Sequence, residues 1–152
     1  MNKRTVAIIG MLAAIGLLLA PAATAAPNEV WGKGSLIADG DGIAVLKGRG
    51  VIDLSGNGVL WVKAEPGAVI EITGYGHKQV FPDGWEQYIG FNGTAHIVGS
   101  RLHVNVAGVS IRLGATGQGT VWLWGHGSYQ RGGSNGGWDA SGLGNPISYS
   151  DN

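Results

Sequence analysis

The chain has 152 residues, with ten basic and ten acidic side chains, 29 glycines, six tryptophans and no cysteine. That balance lacks the basic excess of a nucleic-acid binder, and the missing cysteine removes disulfides, thiolate nucleophiles and Cys-ligated zinc. Few charges beside many large apolar groups also argue against a disordered body.

The N-terminus reads as a secretory leader over 1–25. Lys3 and Arg4 precede an apolar run from Val6 to Ala20, and Ala23-Thr24-Ala25 supplies small residues for cleavage before Ala26. The apolar run is shorter than the roughly 18–20 residues of a membrane span, and nothing later approaches that length. The expected product is secreted, or periplasmic and envelope-associated, with no membrane span after signal cleavage. Lys3 and Arg4 leave with the leader, so what remains is slightly acidic.

From Gly32 to Gly58 a Gly-x-Gly recurs every eight residues, at Gly32/Gly34, Gly40/Gly42, Gly48/Gly50 and Gly56/Gly58. Between them stand Leu36-Ile37-Ala38, Ile43-Ala44-Val45-Leu46, Val51-Ile52-Asp53-Leu54 and Val59-Leu60-Trp61-Val62, rich in β-branched residues and too short for helices. Every even position from 34 to 64 is Gly, Ala, Val, Leu or Ile, and every polar side chain is odd. Side chains alternate faces along a strand, so the even positions form the predicted core face. Because that parity survives each Gly-x-Gly, the units read as three-residue turns with a glycine bulge, or as bends through which a strand keeps running.

Residues 77–93 read as an aromatic-rich connection, with Pro82-Asp83-Gly84 as a turn between Phe81 and Trp85. The core face is then odd at Ala95 and Ile97, even at Leu102, Val104 and Val106, and odd again at Val109, Ile111 and Leu113. Two-residue turns at Gly99-Ser100 and Ala107-Gly108 would account for both reversals. "LGATGQGTVWLWGHG" at 113–127 aligns without gaps on "LIADGDGIAVLKGRG" at 36–50, which suggests an internal repeat. Beyond Gln130 the Gly/Ser-rich chain loses periodicity and reads as a flexible tail over 130–152.

The Gly-x-Gly octads and "YIGFNGTAHIVGS" at 88–100 resemble uncharacterised secreted glycine-rich β-repeat proteins of prokaryotes, and the resemblance implies an all-β fold but no activity. The expected architecture is a single all-β domain over 29–129, an antiparallel sandwich or squat barrel of short strands punctuated by Gly-x-Gly turns. A β-solenoid is the alternative.

Chemistry is sparse. A turn at Gly99-Ser100 would set His96 opposite His103 with Cβ atoms about 5 Å apart, a weak candidate metal pair without a third ligand at a fixed spacing. "DGDG" at 39–42 lacks the continuation of a calcium loop. No spacing singles out a catalytic carboxylate pair, and no Gly-x-Ser-x-Gly elbow or phosphate loop is present. The expectation is therefore a protein that is no enzyme, with no metal and no cofactor. Trp61, Trp122 and Trp124 are the candidate binding residues, on an outer face that either lies under a second layer or presents a flat aromatic surface. Two functions fit: an exported, non-catalytic structural or cell-surface protein that self-associates, or a module binding an envelope polysaccharide or other wall polymer.

Overall fold

A 30-residue strand running straight would reach about 100 Å, far beyond the breadth of so small a domain, so strands of such length must coil. The computed structural model describes residues 34–140, 144 and 146–150; the leader at 1–25, and Trp31 with it, lie outside the described residues. It contains β1 (Ser35–Ala64), β2 (Val69–Ile72), β3 (His77–Val80), β4 (Glu86–Arg131), β5 (Ser134–Gly137) and β6 (Ile147–Tyr149), joined in one antiparallel sheet. Among the described residues no helix is long and apolar enough to cross a membrane.

The pairing shows how β1 and β4 coil. Leu36 pairs with Ala115 on one side and Arg131 on the other; Ala115 in turn pairs with both Leu36 and Ile52. Val106 likewise bridges Ala44 and Leu60, and Val104 bridges Leu46 and Val62. An antiparallel ribbon of β1 and β4 therefore winds on itself, advancing sixteen residues of β1, two octads, per turn. The octads never pair with one another, because a run of β4 always lies between successive turns of β1. Neighbouring runs of the named strands are antiparallel throughout, which rules out the solenoid; the one parallel contact among the described residues is an isolated bridge between Trp124 and Asp139.

Each Gly-x-Gly among the described residues marks a corner of this coil, not a hairpin turn. Both ribbon strands must bend at the same place, and glycine accordingly meets glycine: Gly42 pairs with Gly125 and Gly108, and Gly50 with Gly117 and Gly99. At Gly42, φ is +140°, and an added Cβ would be driven into the carbonyl oxygen of Trp124 on the adjacent strand. The two segments that align as a repeat pair with each other in the opposite direction to that alignment: Gly40, Gly42, Gly48 and Gly50 face Gly127, Gly125, Gly119 and Gly117.

Corners divide the ribbon into two layers. Laterally, the first contains 134–137, 127–131, 35–40, 111–116, 51–56, 93–98 and 69–72. The second contains 147–149, 119–125, 42–48, 102–108, 58–64, 86–91 and 77–80. Between them lies one core that includes Leu36, Ile52, Leu54 and Ile97 from the first layer and Leu46, Leu60, Val104 and Leu123 from the second. The even face of β1 is the core face, as its pattern predicts, and the molecule is an all-β, sandwich-like fold.

The two tight turns in β4 do not form. Its parity reverses by bulges instead: Ser100 and Arg101 together oppose Arg49, and Val109 and Ser110 together oppose Asp41. One inserted residue flips the alternation as a two-residue turn would, without reversing the strand. Ser110 takes a positive φ of 52°, and its N–H donates to Asp41 Oδ1 at 2.6 Å. Val109 consequently leaves the core and is 52% exposed.

The connection and the tail also differ from expectation. Residues 77–80 form an edge strand, and Tyr88 and Phe91 join the core. The described residues beyond Gln130 continue the sheet as β5 and β6, and bury Trp138, Ile147 and Tyr149. It is thus part of the folded body: Trp138 Nε1 donates to the Ser128 carbonyl at 3.1 Å, and Arg131 Nη1 to that of Ser148 at 2.8 Å.

Candidate functional site

With the core closed, chemistry is confined to the two outer faces, whose side chains follow from the register. On the first layer, Ile37, Gly114, Asp53, His96 and Glu71 form one lateral row, beside a second containing Asp39, Arg112, Ser55 and Thr94. His96 Nδ1 lies 2.6 Å from Asp53 Oδ1, and Thr73 and Thr94 share a hydroxyl bond of 3.0 Å. Arg112 Nε donates to Asp39 at 2.7 Å, and that bond raises the guanidinium pKa. Gly114 brings no side chain to its row, and a groove of about 490 Å³ runs across these strands.

The second layer is aromatic and cationic. Trp122, Val45, Asn105, Trp61 and Gln87 form one row, and Thr120, Lys47, His103 and Lys63 the next. The turn at 81–85 folds over them, held by bonds from Phe81 N to Trp85 O (2.8 Å) and Gly84 N to Phe81 O (3.0 Å). Phe81 stacks on Trp61 at 5.3 Å between ring centroids, and Trp85 meets Trp61 edge-on at 6.3 Å. Lys63 Nζ sits 6.0 Å from the Trp85 ring, and Lys47 Nζ 5.8 Å from that of Trp122. Partial burial, reinforced by Lys47 and Lys63, lowers the pKa of His103.

Of the three candidate tryptophans, Trp61 and Trp122 share a row, three strands apart or about 14 Å, and both are half-buried. Trp124 lies one row over. Gly144 lies against it: a Cβ added there would come within 2.7 Å of its ring. Covering is thus divided, with the 81–85 turn over Trp61, Gly144 against Trp124 and a lysine beside Trp122. The histidine pair is not formed, because no hairpin exists at Gly99-Ser100. His96 pairs with Asp53 and Glu71 on the first layer, and His103 with Lys47 and Lys63 on the second. Among the described residues no group of three or more His, Asp or Glu is placed to hold a metal.

Sequence reasoning did not single out Phe81, Trp85, Lys47 and Lys63 as one cluster. The available signal was an aromatic on each side of Pro82-Asp83-Gly84, but only the register shows which face that turn covers. Charge divides between the faces as well. The outward strand positions of the first layer carry Asp39, Asp53 and Glu71 with Arg112, whereas those of the second carry Lys47 and Lys63 and no acid. No protein family, curated protein or solved structure matches the chain.

Proposed function

We propose that the chain is an exported, non-catalytic structural protein of the cell exterior, which works by contacts made from the outer face of its second layer. The observation that carries this reading is the aromatic and cationic cluster of Trp61, Phe81, Trp85 and Trp122 with Lys47 and Lys63 on the outer face of the second layer. Half-buried rings retain apolar surface that a partner can cover, and the lysines give that surface a charge preference. Export rests on the leader, from Lys3 and Arg4 through Ala23-Thr24-Ala25. The test is cell fractionation followed by rebinding of purified protein to isolated envelope material. Retention that falls several-fold with Trp122→Thr supports the reading; a freely soluble protein that envelope material does not retain defeats it.

Carbohydrate binding is the second reading, favoured by the half-exposed rings of Trp61 and Trp122 in one row. Titration with neutral oligosaccharides, read by tryptophan fluorescence, separates the two. Saturable quenching that Trp122→Thr abolishes selects the sugar.

A further inference from the structure

Lys47 and Lys63 flank His103 across adjacent strands on the second layer, while Asp53 and Glu71 flank His96 across adjacent strands on the first. In each set the two charges are two strand spacings apart, about 9.6 Å. Both sets lie close to the corner at Gly48 to Gly50, Lys47 just before it and Asp53 just after. A shift of one copy along the sandwich normal therefore brings two lysines of one molecule over two carboxylates of the next.

We propose that the partner on the second-layer face is a second copy of this chain, docked by its first-layer face, so that sandwiches stack face to back through Lys47 and Lys63 against Asp53 and Glu71. This rests on the reading of that face as a contact surface. The side-chain inventory is favourable. On the acidic face Arg112 is already bound to Asp39 at 2.7 Å and His96 Nδ1 lies 2.6 Å from Asp53, which leaves Glu71 and the second Asp53 oxygen for a lysine; on the basic face the nearby acids are Glu65, paired with Arg101 at 3.8 Å, Asp83 in the overlying turn and Asp139 at the margin. Size suffices too, since seven strands at about 4.8 Å by six residues at about 3.3 Å make a face near 670 Å², so that at most roughly 1,300 Å² is buried on both partners, the 81–85 turn standing over part of one face, and this upper limit lies within the range of specific interfaces. The two contacting faces differ, so the interface is heterologous. Repetition by translation gives an open stack instead of a closed dimer.

Analytical ultracentrifugation of the purified protein against concentration and ionic strength tests this. The expected result is open-ended association at low salt that dissociates toward monomer near 1 M, where the Debye length shrinks to about 3 Å. Lys47→Glu with Lys63→Glu should require at least tenfold more protein to associate, and so should Asp53→Lys with Glu71→Lys. An equimolar mixture of those two variants should associate again, because each offers the face complementary to the other; this rescue also shows that both are folded. A wild-type monomer at all salts, variants that associate like wild type, or a mixture that stays monomeric would each overturn the proposal. Envelope retention measured on the same preparations keeps the two readings apart: a monomer that is still retained refutes stacking alone, and one that is neither retained nor associated refutes both.

Discussion

Three glycine-to-alanine changes can separate what backbone angle and close approach each contribute to the corners. Gly67 lies in the turn after β1 with φ +92° and nothing within 4 Å of an added Cβ, so Gly67→Ala meets only the conformational term. That term is about 1–2 kcal/mol, offset by roughly 0.4–1 kcal/mol because alanine has less freedom in the unfolded chain. At Gly58 no such angle is required, but a Cβ would be driven into the Ala107 carbonyl oxygen, a contact with rigid backbone. Overpacking of that kind costs about 1–3 kcal/mol. Gly42 combines both terms, with φ +140° and the Trp124 carbonyl in the way. With the same unfolded-chain offset, Gly42→Ala should therefore lose about 1–4.6 kcal/mol, about 3 at mid-range, against about 1 for Gly67→Ala. At roughly 4 °C per kcal/mol for a domain of this size, the mid-range values correspond to melting temperatures lower by about 12 °C and by about 4 °C. Thermal unfolding followed by circular dichroism reads both. Equal losses at Gly42 and Gly67 would refute the reasoning, since they would mean that the strands do not need glycine in order to approach at the corner.

The pH dependence should carry a contribution from His103, whose folded pKa lies below its ordinary 6.5 because of partial burial and then Lys47 and Lys63. The unfolded chain binds that proton more readily, so this contribution is complete above about 6.5 and is lost as the pH falls through that value toward the folded pKa. His103→Gln should flatten the melting profile between pH 7 and 5; unchanged curvature would show that His103 contributes nothing there. In the tail, Trp138→Ala should cost about 3–5 kcal/mol because the ring is buried, and a denaturant midpoint equal to wild type would mean that the tail does not close the core. Trp61→Ala should destabilise more than Trp122→Ala, by about 0.5–1.5 kcal/mol, since Trp61 alone of the two contacts Phe81 and Trp85. Equal midpoints for the pair would contradict the stacking under the 81–85 turn.

Strand character and the core face of β1 could be read from the chain alone. Leu36, Ala38, Ala44, Leu46, Ile52, Leu54, Leu60 and Val62 are all even and all buried, because an alternation of period two leaves one choice of buried face. The parity changes in β4 were legible as well, but not their cause. A two-residue turn and a one-residue bulge shift the alternation identically, and only the pairing partners reveal that Ser100 with Arg101, and Val109 with Ser110, are bulges. Which residues meet was decided by the coil: His96 and His103 lie seven residues apart yet occupy opposite faces, while Lys47 and Lys63, sixteen apart, flank one histidine. The ribbon's two-octad turn creates those neighbours, and the local pattern contains no measure of its pitch. The tail was hidden for a related reason. Trp138 stands outside any alternation and Ile147 with Tyr149 make a single one, too short to be read as a strand, and their burial depends on the surface that β4 offers them once the ribbon has wound.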